Sequence, residues 1–332
     1  MGSSPDPLRV VEVVAGVITD ARGRVLLSRR TEGRDLAGLW EFPGGKREPG
    51  ETPEAALARE LQEELGIEAR IGGHLITVPQ AYPGKRLRLD VRSVTRWDGI
   101  PRGREGQALA WVPPHKLPSY TMPPADIPVV GVLLQPDRYA ISPEPDTDGT
   151  EVPAQARDGW LAGLDATLAA GISRIQVRLP GVEDAAVRQD LVAAAAERCR
   201  AAGAELLVNA DLALAQALGI GLHLRASQLA GMDERPVLAE GALLGASCHD
   251  EAGLVHAARL GCDFAVLGAV KPTATHPGRP GIGWEAFARL REGVSLPIYG
   301  LGGLGPSDLD EARRHGAQGI AAIRGLWGGG AA

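Results

Sequence analysis

Short apolar segments recur along the chain, and their arrangement differs between its first and second parts. In the first part, Val10 to Thr19 and Val25 to Leu27 are typical of two strands joined by a turn. Helical spacing of apolar residues predicts a helix over Pro53 to Leu65, whereas Leu87 to Trp97 alternates apolar and polar residues like a half-solvated strand. A proline-rich stretch and the apolar segment Val129 to Leu134 then end this part, near residue 136.

In the second part, short apolar runs alternate with Ala-rich stretches of helical character, such as Ala185 to Ala202 and Glu251 to Leu260. Eight strands alternating with helices over this length predict a (β/α)8 TIM barrel. An open, doubly wound sheet is the alternative, and the count of eight favours the barrel. The eight runs are Tyr139–Ser142, Arg174–Val177, Leu206–Val208, Leu222–Leu224, Leu243–Ala246, Phe264–Leu267, Ile298–Tyr299 and Gly319–Ala322.

Length and composition agree with two globular domains. The chain has 332 residues, of which 23% are charged and 44% hydrophobic, and these fractions exclude an intrinsically disordered protein. The net charge of −6 argues against a nucleic-acid partner, because nucleic-acid-binding domains usually carry a basic surplus. The charge divides unevenly, with 18 basic and 17 acidic residues up to residue 136 and 17 and 24 after it.

Cysteine usage and hydropathy bear on the compartment. Cys199, Cys248 and Cys262 form no C-x-x-C motif, which argues against a disulfide framework or a zinc site and fits a reducing cytosol. Neither a signal peptide nor an apolar run long enough to span a membrane is recognisable. The sequence therefore predicts a cytoplasmic protein with no membrane partner.

The strongest chemical signal lies on the predicted helix, which has Thr52 as a plausible N-cap and Gly66 at its end. Glu60, Glu63 and Glu64 stand at positions i, i+3 and i+4, so one helix face presents three mutually repelling carboxylates. Such a cluster of oxygen ligands suits Mg²⁺ or Mn²⁺, which would offset the repulsion.

A solvated acidic helix face is the alternative reading of these three glutamates. Three further residues, Gly45, Glu51 and Arg59, stand at fixed offsets from them and make that alternative unlikely. The Gly44-Gly45 pair before the helix also permits backbone carbonyls to approach a metal, or amides a phosphate.

The run from Gly45 to Ile67 resembles the Nudix box: G, five residues, E, seven residues, then R-E-U-x-E-E-x-G-U, with U aliphatic. The resemblance implies a Nudix α/β/α sandwich, with a mixed sheet between helices, over residues 8–135. It implies metal binding by the carboxylates of Glu60, Glu63 and Glu64 and by the carbonyl of Gly44, with Arg59 orienting a glutamate. Glu51 would be more structural.

Residues outside the box resemble the MutT branch of that family. In that branch the sequence leading into the box reads W-E-F-P-G-G-K, as residues 40–46 do here. The resemblance implies that Arg30, Phe42, Gly45, Lys46 and Asp126 bind substrate. Glu105 matches a loop glutamate that binds metal or helps to activate water. In that branch an asparagine stands at the position of Asp126 and recognises oxidised guanine. An ionised carboxylate only accepts hydrogen bonds, so Asp126 is expected to accept from purine N–H groups, or to donate if it is protonated. The substitution is compatible with a purine substrate, and a preference for 8-oxoguanine does not follow from it.

The implied reaction is attack of water at phosphorus, which converts a nucleoside triphosphate, or a related diphosphate-linked small molecule, into a monophosphate and pyrophosphate. Mg²⁺ or Mn²⁺ is the implied cofactor. Two alternatives stay open. The chain would be a bifunctional thiamine-pathway enzyme whose Nudix domain hydrolyses pyrophosphorylated thiamine-related compounds, or it would be a ligand-sensing regulatory protein.

The second part resembles the thiamine-phosphate synthase/TenI superfamily over residues 138–328, on motifs such as Gln176-Val177-Arg178 and Gly300-Leu301-Gly302-Gly303. The resemblance implies a phosphorylated ligand held by Thr273, Thr275, Gly302 and Gly303. The synthases bind metal through two aspartates, one directly after the asparagine that matches Asn209 and one in a later segment. Here Ala210 follows Asn209, and the later segment contains Arg225 in place of its acidic residues. We therefore expect a degenerate synthase, a TenI-like isomerase or a binding module.

Overall fold

The structure is a computed structural model that describes residues 9–33, 35–148, 151–273, 278 and 280–329. The chain divides into two compact units: residues 1–135 with segments 291–295 and 313–316, and the remaining residues from 136 onward. In the described residues, no helix combines the length and the apolar character needed to cross a membrane.

The first unit is an α/β/α sandwich around a mixed sheet. Four strands pair in the order β4-β1-β6-β5, with β1 parallel to β6 and antiparallel to β4, and β3-β2-β7 form a second, smaller sheet. Its elements are β1 (Val10–Ile18), β2 (Val25–Arg29), β3 (Trp40–Glu41), β4 (Gly44–Lys46), α1 (Pro53–Leu65), β5 (Glu68–Tyr82), β6 (Lys85–Asp98), β7 (Leu109–Val112), a 3-10 helix (Pro114–Ser119) and α2 (Ile127–Leu134).

The sandwich follows from the alternation of side chains along β1. Val14 and Ile18 point to a core that includes the apolar face of α1, whereas Ala15 and Val17 point to a second core that includes Val129 of α2. The segment from Val129 to Leu134, which lacks a clear period, is therefore the greater part of a helix that covers the second face of the sheet.

The second unit is a closed barrel in which, within the described residues, eight parallel strands follow one another in chain order from β8 to β15. Each of the eight apolar runs forms one of them, so the barrel prediction is confirmed. The elements are β8 (Arg138–Ile141), α3 (Ala154–Ala169), β9 (Arg174–Val177), α4 (Ala185–Ala201), β10 (Glu205–Asn209), α5 (Leu212–Leu218), β11 (Gly221–Leu224), α6 (Ala226–Ala230), β12 (Leu244–Cys248), α7 (Glu251–Leu260), β13 (Phe264–Gly268), α8 (Gly283–Arg291), β14 (Ile298–Leu301), a 3-10 helix (Pro306–Asp308), α9 (Leu309–Arg314), β15 (Gly319–Ala322) and a final 3-10 helix (Trp327–Gly329).

The barrel closes where β15 pairs with β8, and this contact leaves no room for a side chain at Gly319. The amide of Ile320 donates to the carbonyl of Asp137 over 3.0 Å. A Cβ on Gly319 would lie 1.8 Å from that same carbonyl oxygen, a backbone atom that cannot rotate away. The glycine therefore sets how closely the last strand approaches the first.

We expect Gly319→Ala to destabilise the barrel by about 3 kcal/mol, because the added methyl must force β15 and β8 apart. Gly159→Ala on α3 is the matched control, since nothing lies within 4 Å of the added methyl. Alanine there should stabilise the protein by about 0.5–1 kcal/mol through helix propensity. Scanning calorimetry of the purified variants measures both changes, and a Gly319→Ala protein that unfolds at the wild-type temperature would contradict the closure argument.

Candidate active site

Local sequence fixes helix α1 at both ends and along one side. Thr52 Oγ1 accepts a hydrogen bond from the amide of Ala55 over 3.2 Å, and Gly66 ends the helix in the left-handed conformation with φ of 71°. Leu57, Leu61 and Leu65 are fully buried against the sheet. The glutamates lie on the neighbouring stripe of the helix, so the buried leucines fix their backbone relative to the sheet.

Arg59 lies among the carboxylates of this helix. Its Nη1 is 2.9 Å from Oε1 of Glu60 and 3.3 Å from Oε2 of Glu63. Glu60 is mostly shielded, with 15% of its side chain exposed, whereas Glu63 is 58% exposed. One guanidinium thus offsets part of the repulsion between the two carboxylates.

The same arginine ties the helix to the segment before it. Its Nε and Nη2 donate to the two carboxylate oxygens of Glu51 over 2.8 and 2.9 Å, and Nη2 also donates to the carbonyl of Lys46 over 3.1 Å. The hydrogen bonds from Arg59 lower the pKa of Glu51 to about 2. Glu51 is therefore ionised at any pH near neutrality and acts as an anchor.

The glycine strand β4 passes directly over the carboxylates. A Cβ on Gly45 would lie 2.2 Å from Oε2 of Glu60, so a larger residue there would displace that carboxylate from its present position beside Arg59. A Cβ on Gly44 would lie 2.1 Å from the carbonyl oxygen of Val14 on β1. Both glycines are therefore explained by close approach, one to a carboxylate and one to a neighbouring strand.

The loop that contains Glu105 is attached to the end of α1. The carbonyl of Glu64 accepts from the amide of Arg104 over 2.9 Å and from Nε2 of Gln107 over 3.2 Å. Nη1 of Arg104 donates to the carbonyl of Gln62 over 3.0 Å. Glu64 is 7% exposed and Glu105 is exposed, so the loop brings an exposed carboxylate to the end of the helix that carries the buried one.

The donor atoms at this site have the chemistry of a Mg²⁺ or Mn²⁺ ligand set. Helix α1 carries three carboxylates, of which that of Glu60 lies against the glycine strand, and hard oxygen donors are what these cations prefer. Among the residues that the structure describes, no three His, Cys, Asp or Glu side chains form a metal-binding group by themselves. The oxygen donors therefore match the ligand preference of the cation, and Arg59 lies between the carboxylates of Glu60 and Glu63.

Of the predicted substrate residues, Gly45 and Lys46 lie on β4 beside Glu60 and Arg59, whereas Arg30, Phe42 and Asp126 form a second group around β3. Nη1 of Arg30 pairs with the carboxylate of Glu41, and Nε of Arg30 donates to the carbonyl of Asp35 over 2.7 Å. Because at most about 3.5 Å separates successive residues, Glu41 and Gly45 are no more than about 14 Å apart. A short segment of chain therefore joins the partner of Arg30 to the strand that contacts Glu60.

Asp126 is buried next to Phe42, 84 residues away in the sequence. Its Oδ1 accepts from the amide of Phe42 over 3.1 Å, and its exposed fraction is 6%. Burial, together with the negative charge of Glu41, raises the pKa of Asp126 to about 8. The carboxyl is therefore mostly neutral at pH 7 and presents both a donor and an acceptor.

Two residues of this group were not predicted from the sequence. Glu41, which pairs with Arg30, is an ordinary charge in the sequence, and only its place within W-E-F-P-G-G-K marks it. Tyr82 lies in none of the motifs described above. The backbone of Ala125 hydrogen-bonds to Tyr82, and burial raises the pKa of its phenol. Tyr82 therefore borders the buried carboxyl of Asp126.

In the barrel, the structure brings three of the four predicted phosphate-binding residues together, and Thr275 lies outside the described residues. Cβ atoms on Gly302 and Gly303 would lie 2.5 Å from Cβ of Ala269 and the carbonyl oxygen of Pro272, next to Thr273. Their φ angles of 101° and 64° also require glycine. Close packing of two loops thus accounts for both glycines, and no phosphate is needed to explain them.

A charged pair already lies at the start of the helix that follows these glycines. Asp308 accepts from the amide of Gly305 through Oδ2 over 3.0 Å, and its Oδ1 is 2.5 Å from Nζ of Lys271. A carboxylate that caps this turn repels a phosphate. The predicted phosphate loop therefore gains no support from the geometry.

A chain of buried hydrogen bonds crosses the barrel interior. Nε2 of Gln176 donates to the hydroxyl of Tyr139 over 2.9 Å, and that hydroxyl lies 3.1 Å from Nδ1 of His223. Burial lowers the pKa of His223 to about 3, so the imidazole is neutral. Nε2 of the same ring lies 2.9 Å from Oγ of Ser247, so both ring nitrogens have a hydrogen-bond partner. This chain fixes His223 as a structural residue.

Comparison with known proteins identifies the first unit. The model of the NUDIX domain matches residues 14–131. The CTP pyrophosphohydrolase of Escherichia coli is 42% identical over 127 residues, which are 38% of this chain and 93% of that protein. The 8-oxo-dGTP diphosphatase of Haemophilus influenzae is also 42% identical, over 126 residues that cover 38% of this chain and 93% of that protein. Nudix hydrolases generally use divalent cations.

The same comparison identifies the second unit. The model of thiamine monophosphate synthase matches residues 151–326, more than half of the chain. The thiamine-phosphate synthase of Thioalkalivibrio sulfidiphilus is 29% identical over 191 residues, which are 57% of this chain and 86% of that protein. Together with the carboxylate helix and the closed barrel, these matches show that the chain belongs to the Nudix hydrolase family through its first unit and to the thiamine monophosphate synthase family through its second.

Proposed function

We propose that the first unit hydrolyses nucleoside triphosphates of the 8-oxo-dGTP or dGTP type to the nucleoside monophosphate and pyrophosphate. The observation that carries this proposal is the carboxylate face of α1, held by Arg59 beside the glycine strand β4. Two 42% identical relatives are a CTP pyrophosphohydrolase and an 8-oxo-dGTP diphosphatase, which supports a triphosphate substrate.

The residues that would hold Mg²⁺ or Mn²⁺ are Glu60, Glu63, Glu64 and Glu105, with the carbonyl of Gly44. When bound, the cation supplies positive charge that offsets the phosphate charge and makes a nearby water more acidic. Arg59, through its bidentate contact with Glu51, holds the carboxylate face in one orientation. Arg30 and Lys46 add positive charge along the polyphosphate.

We assign recognition of the nucleotide base to the neutral carboxyl of Asp126. Its O–H donor and its carbonyl acceptor match what an amide offers, so it pairs with a base edge that presents an adjacent acceptor and donor. The fixed contact with the amide of Phe42 orients this carboxyl. Guanine-type bases offer such an edge, which keeps 8-oxo-dGTP among the substrates despite the absence of the asparagine.

The barrel favours a second candidate function, because it belongs to the thiamine monophosphate synthase family. In that case the first unit would hydrolyse pyrophosphorylated thiamine-related compounds. A panel of 8-oxo-dGTP, dGTP, CTP and thiamine diphosphate, assayed with Mg²⁺, separates the two by their kcat/KM values. The three cysteines are free and buried, and we propose a cytoplasmic location on that ground.

We expect Glu63→Gln to lower kcat for pyrophosphate release from the best nucleotide of the panel by roughly 10³-fold. The amide removes one negative charge from the cation's ligands and keeps the size of the side chain. Steady-state release of pyrophosphate measures the change, and addition of EDTA to the wild type should have the same effect.

Glu68→Gln is the matched control, since Glu68 is an exposed glutamate at the start of β5 in the same unit. Its activity should equal that of the wild type. Unchanged release by the Glu63→Gln protein with every nucleotide of the panel would remove Glu63 from the catalytic machinery. Absence of release in the wild type itself would favour a ligand-sensing role.

A second prediction concerns the pH dependence of base recognition. Because the pKa of Asp126 is about 8, its neutral form is lost as pH rises through that value, whereas the amide of Asp126→Asn does not titrate. The ratio of wild-type to Asp126→Asn kcat/KM for 8-oxo-dGTP should be constant from about pH 6.5 to about 7 and fall by roughly tenfold towards about pH 9. The ratio cancels every pH effect that the two proteins share, so a flat ratio would contradict a neutral carboxyl.

A further inference from the structure

The loop over residues 102–107 in the first unit supplies a charge that the end of α1 lacks. The backbone dipole of a helix favours positive charge at its C-terminal end. The last turn of α1 contains two glutamates and no basic residue. Nη1 of Arg104 donates to the carbonyl of Gln62 over 3.0 Å, so the loop brings a cation to this turn. The loop therefore offsets an unfavourable charge distribution in the helix.

Backbone contacts hold the same loop close to the helix end. The amide of Arg102 donates to the carbonyl of Leu65 over 3.0 Å, and the amide of Arg104 donates to the carbonyl of Glu64 over 2.9 Å. A Cβ on Gly66 would lie 2.4 Å from Nε of Arg104, so the guanidinium packs where the chain has no side chain. The loop thus lies against the helix through its backbone as well as through an arginine.

The side chain of Gln107 connects Glu105 on the loop to Glu64 on the helix. Its Nε2 donates to the carbonyl of Glu64 over 3.2 Å, and its Oε1 accepts from the amide of Glu105 over 2.8 Å. A glutamine amide has one donor group and one acceptor, and here each meets the complementary backbone group. One side chain therefore fixes the backbone of Glu105 relative to that of Glu64.

The loop is folded tightly between these contacts. A Cβ on Gly103 would lie 2.0 Å from the carbonyl oxygen of Gln107, so the start and the end of the loop touch. Gly106 has a φ of 79°, a left-handed conformation that glycine adopts without strain. The turn fixes how Glu105 leaves the loop, and Gln107 fixes where the turn lies on the helix.

We propose that Gln107 is a positioning residue of the first unit, which fixes Glu105 relative to Glu64 by bridging their backbones. The inference rests on the proposed function, in which both glutamates would hold the same divalent cation. Both polar atoms of the Gln107 amide are engaged with the backbone, so it acts through Glu105 and is not itself a ligand. Residues that orient the ligands of a metal typically contribute about 10- to 100-fold to affinity or activity.

The first test needs neither cation nor nucleotide. Hydrogen exchange of the full chain in EDTA, followed by mass spectrometry, compares the wild type with Gln107→Leu, which keeps the size of the side chain and removes both hydrogen bonds. Peptides that cover residues 102–107 should exchange about tenfold faster in the variant, whereas those that cover Pro53–Leu65 should not change. The variant should fold, because the carbonyl of Glu64 keeps the amide of Arg104 and water replaces Gln107 at the exposed loop.

Gln62→Leu is the matched control, since Gln62 is an exposed glutamine on α1 whose carbonyl, and not its side chain, contacts the loop. Its exchange over residues 102–107 should equal that of the wild type, and so should its affinity for Mn²⁺.

The second test asks whether Gln107 acts through Glu105. Gln107→Leu should weaken binding of Mn²⁺ to the full chain, measured by calorimetry without nucleotide, and lower kcat for pyrophosphate release, each by roughly 10- to 100-fold. In a Glu105→Gln background the same substitution should change either quantity by less than about twofold, because Gln107 then has no carboxylate to position. A merely structural role would instead give losses that multiply.

The outcomes distinguish this inference from the proposed function. A wild type that releases no pyrophosphate, together with the expected exchange and non-additive Mn²⁺ affinities, would contradict hydrolysis and support the role of Gln107. Unchanged exchange over residues 102–107 in Gln107→Leu, or losses that multiply in the double variant, would overturn the inference and leave hydrolysis intact. A wild type that binds no Mn²⁺ would overturn both.

Discussion

The candidate active site depends on one electrostatic constraint, which is that three carboxylates share one face of a single helix. Like charges at this spacing destabilise a helix, so something else must stabilise α1. Three leucines bury the neighbouring stripe, a threonine caps the start of the helix, and Arg59 contacts three carboxylates at once. A bound cation would offset the same repulsion, so the supports that keep the helix folded would also hold the proposed metal ligands in place.

The barrel contains the opposite arrangement, a buried cation supported by its surroundings. Arg174 is 2% exposed, and its Nε is 2.6 Å from Oε2 of Glu205. Its Nη1 donates to the hydroxyl of Tyr299 over 2.9 Å, and its guanidinium lies 4.7 Å from the ring centre of Phe264. A buried charge is tolerated only when its hydrogen-bonding groups are satisfied, and the aromatic residues of the barrel core do this here.

The sequence predicted most strands because the burial of a strand determines its pattern of apolar and polar residues. Barrel strands are covered on both faces and therefore read as continuous apolar runs, whereas the long strand from Lys85 to Asp98 is half solvated and alternates. The helix from Ile127 to Leu134 was less recognisable, because its residues are apolar nearly all round and give no helical period. Local patterns report burial, and they are least informative where burial is uniform.

The site was predictable only as far as its residues are close in sequence. The span from Glu51 to Glu64 is one segment, so fixed offsets revealed its chemistry. The contact between Asp126 and Phe42 crosses 84 residues, and the pairing of Arg188 with Asp211 joins a helix to a loop. In the sequence Asp211 is an ordinary charge, and the structure shows it as a helix cap with an arginine partner. Such roles depend on which backbone amide a carboxylate reaches, and only the folded chain determines that.

Net charge proves to be a poor guide to the sign of a site in either unit. The first part of the sequence is nearly neutral yet carries the carboxylate helix, and the acidic second part contains a cavity lined in part by Arg188 and Arg225. At physiological ionic strength the screening length is about 8 Å, so a ligand responds mainly to charges within roughly that distance. Lysines and arginines scattered over the first unit therefore do not cancel the carboxylates, and the surplus acids of the barrel do not neutralise Arg225. The sign of a local surface is therefore set by the residues that line it and not by the average charge of its unit.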